Sequence, residues 1–251
     1  MKISERFDFL GIRINVTNLE FTTEFLVNYD YSNVGYITFP DSSVVAAAQK
    51  DLRLREVLNN SLLTLPDGKP SQVWAKINGY KGVSTVSGYW LCRNMFKESV
   101  THYFLGSTDE KLKKMVTRVK HEFPHVRIAG YRSLPFYDID YFKGGNLLKD
   151  ELSEINGLAP DLIWVGLSSP KQDFLMSTHV SELHHGVMLG VGGVFDYLSE
   201  EVKKSPEWTK KIGLRWLWRL INEPKRLGAK YGMTIWIFGK IIVKKIFSWT
   251  H

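Results

Sequence analysis

Leu162-Ile163-Trp164-Val165-Gly166-Leu167, followed at once by Ser168-Ser169-Pro170-Lys171-Gln172, is the stretch that decides the fold. An apolar run bounded by a polar, proline-containing turn reads as a short strand, and Lys171 to Leu183 reads as the helix after it. The same order recurs along the chain. Further strands are expected at Phe7 to Ile14, Val34 to Phe39, Ser61 to Leu65, His102 to Gly106, Val126 to Tyr131 and Gly186 to Val191. Helices are expected at Leu19 to Val27, Ser42 to Leu58, around Gln72 to Ile77, Asp109 to Glu122 and Leu147 to Ile155. In the helix from Ser42, residues Val44, Val45, Ala48 and Leu52 form the apolar face. Strands at this spacing, separated by helices, predict an α/β domain.

The sheet predicted from this order is doubly wound and mainly parallel (Rossmann-like). No repeat or low-complexity linker interrupts it, and the one organisational break is a change of charge near Lys203. The chain has 251 residues and a net charge of +7, with 44% apolar and 24% charged residues, which excludes a disordered polymer. From Lys203 to His251 there are twelve Lys/Arg and two Asp/Glu, leaving 21 against 24 in the rest. Five of the eight tryptophans, Trp208, Trp216, Trp218, Trp236 and Trp249, fall in that basic stretch. The domain division is therefore an α/β catalytic domain over 1–204 and a basic, Trp-rich helical appendage over 205–251. Cys92 is the only cysteine, and no Cys/His spacing suggests zinc. Glu5 and Asp8 fall where a secretory signal needs an unbroken apolar stretch, so the cytoplasm is expected.

In doubly wound sheets, ligands bind beyond the carboxyl ends of the strands. Thr38 ends one strand and Asp67 lies just past another. Ser168 to Gln172 follow Leu162 to Leu167, and Gly192-Gly193 with Asp196 follow Gly186 to Val191. Each has an ordinary structural reading. Pro66-Asp67-Gly68 is a common turn sequence, and Gly192-Gly193 serves equally as a tight strand-to-helix connection or as backbone that phosphate can approach. Thr38 suits a strand end and Gln172 a surface position in a first helical turn. GxGxxG, GxxxxGK[ST] and GxSxG motifs are absent, which gives no support to dinucleotide, P-loop or Ser-hydrolase readings. The histidines form no recognisable ligand set, and most are expected to be solvated.

Three blocks carry a family resemblance: Pro160 to Gln172, with its SPKQ segment at 169–172; Gly190-Val191-Gly192-Gly193-Val194-Phe195-Asp196, followed by Lys203 to Trp208; and Gly213 to Leu220 running into Glu223-Pro224-Lys225-Arg226-Leu227. Gly11, Thr38, Pro66-Asp67-Gly68 and Tyr103 to Gly106 match more loosely. The chain resembles the WecG/TagA/CpsF family of bacterial glycosyltransferases, glycosyltransferase family 26. That resemblance implies inverting transfer of a sugar, of the N-acetylhexosamine type, from a UDP-sugar to a lipid-linked (polyprenyl diphosphate) acceptor at the inner face of the cell membrane. The products implied are surface polysaccharide or teichoic acid linkage units. Thr38, Asp67 and Gln172 match family active-site positions, with Asp67 as general base. Arg219 and Arg226 match tail arginines that reach the substrate phosphates. No catalytic metal or other cofactor is implied.

These roles suit the chemistry. A single displacement at the anomeric carbon needs one carboxylate to accept the acceptor hydroxyl's proton. Charge developing on the departing UDP must be offset by cations or backbone amides, and arginine binds phosphate bidentately. Gly192, Gly193, Asp196, Ser169 and Lys171 are assigned to the substrate side of the same strand exits. Two departures from the family pattern stand out. Thr85-Val86-Ser87-Gly88 lacks the usual preceding arginine, leaving Arg93 or Lys81 as substitutes, and Asp67-Gly68-Lys69-Pro70 replaces the usual Asp-Gly-x-Gly.

In the appendage, Trp208, Ile212, Trp216 and Leu220 form one apolar stripe. Ile235, Phe238, Ile242, Ile246 and Trp249 form another, with Lys240 and Lys244 opposite. The uncharged run from Tyr231 to Gly239 is too short for a span, which needs ~20 residues, so an anionic membrane surface is the expected partner. Packing on the domain or in a homo-oligomer interface is the alternative. A basic patch with aromatics also fits a nucleic-acid-binding module. No RNP, KH or zinc-finger pattern accompanies it, and nucleic acid is not expected as a partner. A nucleotide-sugar hydrolase or epimerase using the same pocket is the other enzyme reading.

Overall fold

The computed structural model describes residues 3–136, 138–143 and 149–200, together with Gly228, Gly232, Met233, Ile235, Trp236, Ile237 and Gly239. Six parallel strands form the sheet: β3 (Gly35–Thr38), β4 (Leu63–Thr64), β5 (Thr101–Leu105), β6 (Arg127–Arg132), β7 (Leu162–Val165) and β8 (Val187–Gly190), in the order β4-β3-β8-β7-β5-β6. The doubly wound α/β expectation is met, and every pairing in this sheet is parallel.

Alternation along the strands divides the core in two. Tyr36, Tyr103, Leu105, Ile163, Val165 and Met188 face one cluster, which is covered by α2 (Ser42–Ala48), α3 (Leu52–Asn59), α4 (Lys69–Ile77), α8 (Lys149–Leu158) and α9 (Lys171–His179). Ile37, Phe104, Leu162, Trp164, Val187 and Leu189 face the other, beneath α1 (Leu19–Val27), α5 (Gly88–Met95), α6 (Asp109–Glu122) and α10 (Val194–Leu198). A strand buried on both faces has no polar side to show, which is why β7 reads as an uninterrupted apolar run.

Local chemistry sets the boundaries. Asn18, Asp41, Asp51 and Thr108 each accept a backbone N–H of the first turn of α1, α2, α3 and α6, satisfying donors that a helix leaves without partners. Asp51 is also why the single helix expected over Ser42 to Leu58 is two. Its cap starts α3, and Leu52, expected on the apolar face, is 67% exposed.

The single strand expected at Phe7 to Ile14 is a hairpin of β1 (Arg6–Phe9) and β2 (Ile12–Asn15). Leu10 and Gly11 both have positive φ, 55° and 82°, the geometry of a tight two-residue turn. This hairpin closes the β4 edge of the sheet. Asn15 Oδ1 accepts the Thr64 N–H at 2.7 Å, and the Arg6 guanidinium donates to the carbonyls of Asn59, Ser61 and Leu62. The predicted helix from Lys171 to Leu183 ends at His179 and continues as a 3-10 turn, Val180–Glu182. Helices α5, α10 and α7 (Ile139–Lys143) were not anticipated from the pattern. The last two have only five residues each, too few to display a helical period.

Among the described residues, no helix is long and apolar enough to cross a membrane. Of the appendage, Ile237 is fully buried in the first core cluster, whereas Met233, Ile235 and Trp236 are exposed. Trp208, Ile212, Trp216, Leu220, Phe238, Ile242, Ile246 and Trp249 lie outside the described residues.

One close approach tests the packing at the strand exits. A Cβ at Gly166, just past β7, would overlap the ring of Phe195 on α10. Gly166→Ala is expected to destabilise the fold by about 1–3 kcal/mol, measured by urea denaturation.

Candidate active site

The loops leaving β4, β3, β8, β7 and β5 meet along one edge, because parallel strands place all their carboxyl ends together. At β3, connections depart to one face of the sheet; at its neighbour β8 they depart to the other, and β7 and β5 repeat the alternation. Reversals of this kind open crevices for ligands.

Thr38 and Asp67 occupy the β3–β4 side. Thr38 pairs in register with Thr64, and its carbonyl accepts the Leu65 N–H at 2.8 Å, which places Asp67 just beyond. Gly68 has φ of 93° and opens α4, so the turn bends sharply and leaves Asp67 partly exposed at the edge. A segment in front of α5 crosses this loop: the Val86 N–H donates to the Pro66 carbonyl at 2.8 Å, and Gly88 packs against Val191 and Val194.

Gln172 holds the β7–β8 side together. Its Nε2 donates to the Gly190 carbonyl at 2.7 Å and to Ser169 Oγ at 3.1 Å. The residue is 3% exposed, so the reading of Gln172 as a surface residue gives way to that of a buried brace. Gly192, with φ of 55°, lies against it; a Cβ there would come within 3.1 Å of the Leu167 carbonyl oxygen and 3.5 Å of Gln172 Oε1. The Gly192 N–H already donates to the Val165 carbonyl at 3.3 Å. The two glycines therefore make the tight connection, whatever else they contact.

The remaining assigned residues border this edge. Lys171, the first residue of α9, sets its ammonium 4.2 Å from the centre of the Phe136 ring. Phe136 itself is 91% exposed. Asp196 on α10 pairs with Lys111 in the first turn of α6 at 2.6 Å, so its charge is partly engaged within the fold. Arg219 and Arg226 lie outside the described residues. Arg93 stands away from this edge. Arg93 pairs with Glu122 at the far end of α6, about 20 Å along that helix from the strand exits. Lys81 lines a shallow cleft with Glu5, Val16 and Asn78 to Gly82. The cation beside Thr85 is Lys69: its Nζ donates to Gln72 Oε1 at 3.1 Å, and the Thr85 hydroxyl reaches the same oxygen at 3.4 Å.

Burial at this edge is not accompanied by full pairing. Among the described residues, Thr38 Oγ1, Gln172 Oε1 and Asp173 Oδ2 are buried without a hydrogen-bond partner. Asp173 was missed in the sequence because one carboxylate next to a recognised segment carries no periodic or spacing signal. Its carboxyl is 1% exposed, and burial pushes its pKa up to about 7; the Ser169 side chain opposes this and the charge of Asp41 adds to it. Elsewhere, His102 and His179 are buried rather than solvated. His102 accepts the Trp164 indole N–H at 3.1 Å, and burial lowers its pKa to about 4.

The comparisons with known proteins give the family. A model of the glycosyl transferase WecG/TagA/CpsF family matches residues 7–250. The chain belongs to that family. It is 26% identical over 238 residues to the N-acetylglucosaminyldiphosphoundecaprenol N-acetyl-beta-D-mannosaminyltransferase of Bacillus subtilis (strain 168), covering 88% of this chain and 90% of that one. The enzyme of the same name from Bacillus spizizenii is 26% identical over 78% of this chain and 75% of its own length. That from Staphylococcus aureus (strain MW2) is 27% identical over 54% and 50%. A glycosyl transferase of this family thus carries Thr38, Asp67, Gln172 and the Gly192 turn along one edge of its sheet.

Gln172→Leu removes the donor to the buried Gly190 carbonyl. The expected cost is about 1–3 kcal/mol of stability, read from urea midpoints, with lowered glycosyl transfer.

Proposed function

We propose that this chain is an inverting glycosyltransferase that moves a sugar of the N-acetylhexosamine type from UDP to a polyprenyl diphosphate-linked acceptor, with Asp67 as general base. The observation that carries this reading is the meeting of Asp67, Thr38, Gln172 and the Gly192 turn at one strand edge, in a chain whose relatives from Bacillus and Staphylococcus are named for transfer to a diphosphoundecaprenol-linked sugar.

The acceptor hydroxyl attacks the anomeric carbon from the face opposite UDP. Its oxygen forms the new bond, its proton passes to the Asp67 carboxylate, and the bond to the UDP oxygen breaks with both electrons leaving on phosphate. Asp67 is suited to this work because the Gly68 turn holds it at the rim, partly open to an incoming hydroxyl. Thr38 at the end of β3 and Gln172 in the first turn of α9 are buried at the same edge. Gly192, Gly193, Ser169 and Lys171 border the nucleotide side, and Asp196 lies beyond them, tied to Lys111. Arg219 and Arg226 are assigned to the departing phosphates on the family resemblance, with no catalytic metal or other cofactor taking part. Lys69 is a further cation beside Asp67, at the place where Thr85 carries no charge.

The appendage is assigned to the anionic inner surface of the cell membrane, with the catalytic body on its cytoplasmic side. Support comes from the +10 charge balance of Lys203 to His251 and from the division of the described residues there: Ile237 anchors in the core while Ile235 and Trp236 face outward.

Asp67→Asn is expected to lower kcat by ~10²–10⁴ with UDP affinity in calorimetry changed only a few-fold; near-normal turnover would remove the base assignment. Release of free sugar from UDP-sugar without any lipid acceptor would instead identify a hydrolase. Co-sedimentation with vesicles containing anionic lipid should weaken in Ile235→Asp and in high salt, and salt-dependent RNA binding in place of vesicle binding would reassign the basic surface.

A further inference from the structure

Lys69 is a cation in a place where helix chemistry does not ask for one. It is the first residue of α4, whose cap is Gly68 without a side-chain hydrogen bond and whose first turn has no acidic residue. The open N–H groups at the start of a helix make that end positive, so acidic side chains are favoured there and a lysine is not. Helices α1, α6 and α8 follow the rule with Glu20, with Asp109 and Glu110, and with Asp150 and Glu151. The Lys69 side chain is exposed and, among the described residues, is in no ion pair; its Nζ donates to Gln72 Oε1 at 3.1 Å. The Thr85 hydroxyl reaches the same oxygen at 3.4 Å, so one amide of α4 gathers the cation and the hydroxyl at a single point. An ammonium has three donors, and Gln72 takes one of them.

That point lies just past Asp67, across the Gly68 turn, so the base and the cation leave β4 together. The residues that border the nucleotide side leave other strands: Ser169 and Lys171 follow β7, and the Gly192 turn follows β8. With β3 between β4 and β8, two strand spacings, about 10 Å, separate the two groups. Two other cations near the strand exits belong to the nucleotide side, Lys171 against Phe136 and Lys111 against Asp196. Inverting displacement gives this separation a meaning. The attacking hydroxyl and the departing UDP lie on opposite faces of the anomeric carbon, so the base marks the acceptor's side of the reaction. An anion that meets Lys69 is therefore one that the acceptor carries. In a sugar linked to a polyprenyl diphosphate, that anion is the diphosphate, one sugar ring away from the attacking hydroxyl.

We propose that Lys69 is an acceptor-binding residue: its ammonium, steadied by Gln72, contacts the diphosphate that joins the acceptor sugar to its lipid. This rests on the transferase reading above, and it gives the acceptor a contact of its own beside the base. It also separates ligand binding from folding. A lysine kept for the fold would lower stability when replaced; a lysine at the positive end of α4, kept for an anion outside the chain, would not.

The experiment compares wild type, Lys69→Gln, Lys69→Glu and Lys69→Arg, with UDP-N-acetylglucosamine and UDP-N-acetylmannosamine as donors. Two acceptors are used: N-acetylglucosamine linked through diphosphate to a short polyprenyl chain, and the same sugar as an uncharged alkyl glycoside. Wild type is expected to prefer the diphosphate acceptor in kcat/KM. That preference should narrow about five- to tenfold in Lys69→Gln, mainly through KM, narrow further in Lys69→Glu, and be largely restored in Lys69→Arg. The wild-type KM for the diphosphate acceptor should rise with added salt, more steeply than that of Lys69→Gln. UDP affinity in calorimetry should change less than about twofold in Lys69→Gln. The Tm of Lys69→Gln and Lys69→Glu should equal or exceed that of wild type, a readout that needs no substrate. Wild type without preference between the acceptors, equal losses of Lys69→Gln on both, or a UDP affinity that falls as far as acceptor use would each overturn the inference while leaving the transferase intact. A folded wild type that transfers sugar to neither acceptor would remove the transferase reading, and the inference with it.

Discussion

The hydrogen bond from Gln172 Nε2 to the Gly190 carbonyl is the interaction on which the site depends. Beyond the last ladder bond of a parallel sheet, the strand exits have no regular partners and are free to diverge. Gln172 ties the start of α9 to the end of β8, and β8 stands in register beside β3, with Leu189 opposite Ile37. One buried amide thereby couples the turn after β7, the glycine turn after β8 and the floor at Thr38. A Cβ at Gly190 would meet the Met176 methyl and the Gln172 amide, and one at Gly192 the Leu167 carbonyl oxygen.

A second constraint acts from outside the sheet. The β1–β2 hairpin supplies Asn15 and Arg6 to the backbone of the β4 edge, where open N–H and carbonyl groups would otherwise invite another strand. This matters for function because β4 is only two residues long and delivers Asp67. The hairpin holds the short strand against β3, Val86 fastens the Pro66 carbonyl from above, and Asp67 is left at the rim.

The sheet was largely legible from the chain because double-sided burial turns β3, β7 and β8 into apolar runs, and because acceptor side chains such as Asn18 and Thr108 mark helix starts. Periodicity misled where local caps outrank it. Val44, Val45 and Ala48 continue plausibly into Leu52, yet the Asp51 cap restarts the helix and turns Leu52 outward. Phe7 to Ile14 looked continuous because its alternation survives the hairpin, with Leu10-Gly11 adding a turn that only a glycine hints at. The candidate site was legible in Thr38, Asp67, Gln172 and Gly192, which sit at strand exits and lie in or beside recognisable segments. Arg93 was a reasonable cation by composition, but it pairs with Glu122 away from the strand edge.

From the sequence alone came the order of strands and helices, the family resemblance, the basic appendage and the residue types needed for displacement at a sugar carbon. These follow from local chemistry: apolar runs, caps, turns and short segments that need no knowledge of their neighbours. The tertiary structure decided which exits meet, that Gln172 is a buried brace, that Lys69 and Thr85 meet on Gln72, and that Asp173 is a buried carboxyl whose pKa burial raises. Those outcomes depend on desolvation and on partners brought together from β3, β7, β8 and α9, and a carboxyl's proton is set by that surrounding dielectric and charge rather than by the residues on either side of it.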